Sequence, residues 1–173
     1  NKNRKTETPE KETRIFSMSI APAAKTRVIT DHARHEKDTG SPEVQIAVLT
    51  ARVTDLTDHL KALNLIAGEL EGKIATSMEN RYLLNMFTLE KSLVYYLYAI
   101  NSNGVVIEKL KSHTAKSQLS PHAVEFLDDL AIENNQCYRQ AEILSNILSS
   151  LMDARASIVN NNLNVLMKSL NIF

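Results

Sequence analysis

After Pro121 the chain runs to its last residue, Phe173, without another glycine or proline. The residue types that break helices are absent there, and Ser120-Pro121 supplies a start: a small polar cap followed by a proline suited to the first turn. The stretch predicts one continuous helix of about 50 residues, about 75 Å long at 1.5 Å per residue.

The remainder points the same way. Glycine and proline number four each, tryptophan is absent, and 43% of residues are hydrophobic, enough for a packed core. Leu, Ala, Asn, Glu, Lys and Ile recur without β-branched alternation. The expected fold is all-α, a long antiparallel helical hairpin or bundle with a C-terminal stalk helix.

Formal net charge is zero, with Lys+Arg against Asp+Glu standing at 11 to 9 over residues 1–64 and 9 to 11 over 65–173. Neither part has the charge of a strong, independent nucleic-acid binder. The single cysteine, Cys137, excludes an internal disulfide framework and fits a reducing compartment or a small buried hydrophobe. No run of about 18 uncharged apolar residues spans a bilayer, and no signal-peptide pattern is visible. The chain starts without Met and stops on an apolar rise, NVLMKSLNIF, so it reads as a fragment of something longer.

Residues 1–16 mix charges with Thr and Pro and read as a flexible leader. A short helix is expected over about 22–35, with Ala24, Val28 and Ile29 on one side, ending before an Asp38-Thr39-Gly40 turn. Ser41 then reads as an N-cap, with Pro42 at the first helical position and Glu43 near the positive end of the dipole. Val44, Val48, Val53, Leu56, Leu60 and Leu63 predict the apolar face of that helix to about residue 63. Gly68 and Gly72 weaken the helical stretch beyond it, and a break is expected near Ser77. Leu83, Met86, Leu89, Leu93, Leu97 and Ile100 mark another helix, with a pause expected at residues 101–104 and a polar loop at SHTAKSQ, 112–118.

Within the last helix, Met152, Ala156, Val159, Leu163, Leu166, Leu170 and Phe173 form a heptad seam. Asp153, Ser157, Asn160, Asn164, Met167 and Asn171 form a second, mostly polar seam one position along. Such a pair suits a symmetric ring of helices around a wet axis; the plainer alternative is an amphipathic helix whose asparagines face solvent. Asn-Asn-Asn inside a helix is locally unfavourable and calls for compensation.

Two resemblances bear on function. SMENRYLLNMFTLEKSLVYYLYAI, AIENNQCYRQAEILSNILSSLMDA and MDARASIVNNNLNVLMKSL resemble the cytoplasmic helices of CorA-type magnesium transporters, over about residues 65–171. That resemblance implies a willow-helix hairpin and a stalk helix on the cytoplasmic side of the cell membrane, in a homo-oligomer that is pentameric in the family. It implies a Mg²⁺-holding role for Asp153, and a pore-lining role for Asn164, Met167 and Leu170. A hard, hydrated ion held by a few carboxylates and amides is compatible with those residue types. The family's membrane spans, Gly-Met-Asn signature and amino-terminal α/β domain are absent.

From about Ser17 to Leu63 the sequence is similar to the first two helices of bacterial ribosomal small-subunit protein fifteen, with DTGSPEVQ the specific match. That resemblance implies contact with a three-way junction of ribosomal RNA through Thr39, Gly40, Gln45 and Arg52. Glycine permits close backbone approach, and Gln and Arg supply donors. The basic hairpin and later helices of that family do not follow Leu63. The expected organisation is a leader at 1–16, a ribosomal-type helix pair at 17–64 and transporter-like helices at 65–173, an apparent chimera whose preferred reading is a non-catalytic transporter piece and whose alternative is an RNA-binding module.

Other clusters carry less. His32, His35 and Glu36 have metal-compatible spacing but read as surface side chains. Glu125, Asp128, Asp129 and Glu133 form an acidic patch explained by a solvated helix start. Tyr82, Tyr95, Tyr96 and Tyr98 stand at helical spacing and read as core. No phosphate loop, activated nucleophile or carboxylate pair argues for an enzyme.

Overall fold

The computed structural model describes residues 20–76, 80–117, 119 and 121–170. Four helices account for nearly all of them: α1 (Pro22–His32), α2 (Pro42–Thr76), α3 (Asn80–Ser117) and α4 (Pro121–Leu170). The all-α expectation holds, and α4 is a single helix of 50 residues. The leader, the breaks at Ser77 and Ser120, and the seam residues Asn171 and Phe173 lie outside the described residues.

The three long helices pack as an antiparallel bundle. In one core cluster Leu56, Leu60 and Leu63 of α2 meet Met86, Leu93, Tyr96 and Ile100 of α3 and Cys137, Ala141, Leu144 and Leu148 of α4. In a second, Ile46, Leu49 and Val53 meet Ile107, Leu127 and Leu130. The start of α2 thus lies beside the end of α3 and the start of α4. Burying each such leucine stabilises the fold by about 2 kcal/mol, so packing rather than helix propensity holds these elements.

Several boundaries differ from the sequence reading. No pause occurs at 101–104, because Asn103 and Ile107 are fully buried and α3 is held on α4 through that region. Residues 112–117 extend α3 instead of forming a loop; at Lys111 the ammonium reaches Asp128 of α4 at 2.8 Å, pinning the last turns. On α2, Ile46 and Leu49 face the core while Val48 is half-buried. Tyr96 is fully buried, as core packing requires, but Tyr95 and Tyr98 are 49% and 75% exposed. The first helix ends at His32 because Ala33 is extended, and it buries no residue, Val28 and Ile29 being half-covered and Ala24 exposed.

The core-facing stripe of α4 continues past the end of the bundle. Leu127, Leu130, Asn134, Cys137, Ala141, Leu144 and Leu148 are covered, and Leu151 and Met152 are half-buried at the edge. Arg155 is the last buried residue of α4, and 156–170 is exposed on all sides, a projection of about 22 Å.

Candidate nucleic-acid interface

The connection between α1 and α2 is built around one carboxylate. An aspartate followed by Thr-Gly-Ser favours local turns in which the side chain accepts backbone amides. Asp38 is 8% exposed; its Oδ2 accepts the Arg34 amide at 3.0 Å, and its Oδ1 accepts those of Gly40 at 3.2 Å and Ser41 at 2.9 Å. The Arg34 amide, followed by the Ser41 hydroxyl and amide, holds the Asp38 carboxyl well below the usual carboxylate range.

The expected helix start forms as read. Ser41 Oγ accepts the Val44 amide at 3.4 Å, the Ser41 carbonyl accepts the Gln45 amide at 2.9 Å, and Pro42 opens the helix. Glu43 pairs with Arg34 across the turn at 3.6 Å. Gln45 Nε2 donates to the Gly40 carbonyl at 2.8 Å, so Thr39, Gly40 and Gln45 gather at one exposed loop.

Arg52 lies seven residues beyond Gln45, hence on the same face of α2 and about 10.5 Å further along its axis. It is half-buried, and its buried Nε has no hydrogen-bond partner among the described residues. The backbone at Gly40 is outside the left-handed region and a Cβ there would meet open space. Among the described residues nothing requires glycine at that position.

This region carries the likeness to known proteins. Residues 25–64 match the family model described as Ribosomal protein S15. Two curated relatives, both small ribosomal subunit protein uS15, from Kocuria rhizophila and Micrococcus luteus, are each 61% identical over 44 residues, which is 25% of this chain and 49% of theirs. The chain thus spans about half the length of the curated relatives it matches. No solved structure matches. The ribosomal-type resemblance at the front is therefore supported, whereas the transporter resemblance over 65–171 and the chimera drawn from it receive no support.

The residues singled out by the transporter resemblance do not form a site within one chain. Asn164, Met167 and Leu170 are exposed on the projecting part of α4, and Asp153 is exposed just before it. Among the described residues no helix is long and apolar enough to cross a membrane, and no group of three or more His, Cys, Asp or Glu is arranged to hold a metal. His32, His35 and Glu36 are thus not gathered as ligands, nor is the acidic patch, in which Asp128 is committed to Lys111. Sequence reasoning named the Asp38 turn but missed Asp38 as its keystone; the Asp-Thr-Gly-Ser order carried that signal.

Proposed function

We propose that the α1–α2 unit binds ribosomal RNA at a helical junction, through the exposed loop at Thr39 and Gly40 and the Gln45–Arg52 face of α2. The observation that carries this reading is the match of residues 25–64 to the ribosomal family. The geometry adds to it: three of the four candidate residues gather at one loop, and Gly40 has space on its Cβ side for a phosphate to approach. The reading is one of non-catalytic binding. A filter-binding titration against the small-subunit three-way junction tests it: affinity that falls with salt and with Thr39→Ala or Gln45→Ala supports it, and no binding at low salt rejects it. Gly40→Ala sharpens the test, because it is expected to leave thermal stability unchanged while lowering RNA affinity.

A second reading rests on a different observation, the heptad stripe of α4 that leaves the bundle uncovered. In it the projecting segment self-associates through Val159, Leu163, Leu166 and Leu170. Asp153 then meets its copies, where weakly held Mg²⁺ adds to association, and Asn164 and Met167 face the axis. Sedimentation with and without Mg²⁺ tests it. Leu163→Asp is expected to disrupt association more than Asn164→Asp; a monomer at high concentration in both conditions rejects it.

A further inference from the structure

Helix α3 is covered on one side only. Leu89, Leu93, Tyr96, Ile100, Asn103 and Ile107 are buried in the bundle, at alternating steps of four and three residues that keep them on one face. Phe87, Lys91, Val94, Tyr98, Asn101 and Val105 repeat those steps, and all six are exposed. Phe87 and Tyr96 stand nine positions apart, which at 100° per residue turns them in opposite directions. A helix apolar on two opposite sides has the pattern of one packed on both, and steps of four and three are the spacing of a coiled-coil seam. Phe87, Val94, Tyr98 and Val105 are each at least half exposed, so within one chain this second seam has no cover.

The order of polarity along the seam selects its occupant. From Phe87 to Val105 it reads apolar, polar, apolar, apolar, polar, apolar, and the spacings of four, three, four, three and four are the same in either direction. The pattern is symmetric about position 96. A second copy laid antiparallel, with the twofold axis at that level, sets Phe87 against Val105, Val94 against Tyr98 and Lys91 against Asn101, each pairing occurring twice, as an isologous interface requires. Apolar side chains then meet apolar ones, and the Lys91 ammonium faces an amide whose oxygen accepts from it. Other arrangements lose this match: a parallel pair in register sets Lys91 against Lys91, and a shift of one heptad sets Lys91 against Val94 or Phe87 against Ser112. One step beyond the six layers Leu84 falls level with Glu108 of the second copy, and there the complementary seam ends.

We propose that α3 is the interface of an antiparallel homodimer, in which two copies of the chain pair through this seam. A helix face about 28 Å long on a cylinder about 11 Å across covers on the order of 500 Å² per copy. The pair thus buries about 1,000 Å², the lower end of what a specific interface needs, and a dissociation constant in the micromolar range is expected. Neither the α1–α2 loop nor the projecting part of α4 contributes to the seam, so it is independent of both functional readings above.

The test is sedimentation equilibrium of the full chain over a concentration series, carried in a Leu163→Asp background so that the projecting part of α4 adds no association of its own. A monomer–dimer equilibrium is expected. Val94→Asp is expected to raise the dissociation constant by at least about tenfold. Asn101→Glu is expected to lower it by about fivefold and Asn101→Lys to raise it by about as much, because each sets a new charge against Lys91 at two symmetric places. Should Val94→Asp impair folding, Tyr98→Glu carries the same test at the most exposed apolar position of the seam. The proposal is overturned if the chain stays monomeric well above the micromolar range, if a folded Val94→Asp or Tyr98→Glu variant dimerises unchanged, or if the two Asn101 variants shift the equilibrium alike.

Discussion

Asp38 carries the loop that sets α1 against α2, accepting amides at both ends of the turn. Its folded pKa is depressed, so its contribution to stability is fully present above the ordinary aspartate value of about 4 and is lost as pH falls from there through the depressed folded value. Asp38→Ala is therefore expected to lower the thermal midpoint by a constant amount between about pH 5 and 8, with the gap to wild type closing below about pH 4. A pH-independent gap, read by circular dichroism melts, would reject this account. Ser41 adds the cap; Ser41→Ala is expected to cost about 1 kcal/mol, measurable by urea denaturation.

Two features govern how α3 meets α4. A Cβ added at Gly104 would stand 3.2 Å from Asn134 Nδ2, the atom that donates to the Ile100 carbonyl at 3.1 Å. Glycine at 104 thus buys close approach at the expense of helix propensity, about 1 kcal/mol relative to alanine. A double-mutant cycle separates the effects: Gly104→Ala is expected to stabilise an Asn134→Ala background by about 1 kcal/mol and to gain less than that, or to lose, in the wild type. Equal effects in both backgrounds would dismiss the clash. Nearby, Asn103 is fully buried and, among the described residues, neither of its amide atoms has a hydrogen-bond partner, at a level of α3 between the two apolar clusters. Asn103→Leu is expected to stabilise by roughly 1–3 kcal/mol, read as a higher midpoint in denaturant.

Across the whole molecule, α2 runs unbroken through residue 64, where the matched segment ends, and its buried face is shared with α3 and α4. The segment that resembles the ribosomal family is thus not separable from the bundle in this fold. A peptide of residues 20–76 is expected to be largely unfolded alone, since Leu49, Val53, Leu56, Leu60 and Leu63 would lose their cover; cooperative melting of that peptide would contradict this. Ending the chain after Arg155 is expected to leave the midpoint of a dilute sample within a few degrees of the full chain, because 156–170 buries nothing.

Helix class, the 50-residue length of α4 and the start of α2 at Pro42 were legible in the sequence because they depend on local chemistry: absent breakers, a cap, a proline and apolar spacing. The ribosomal-type segment was legible for the same reason, being a contiguous run. Continuity of α3 through Asn101–Gly104 and to Ser117 was not, since it is decided by packing on α4 and by the Lys111–Asp128 pair. Nor did the Asp153 to Leu170 pattern reveal whether a partner covers it. The uncovered stripe arises where helices distant in sequence part, and only the tertiary structure shows which faces lose their cover.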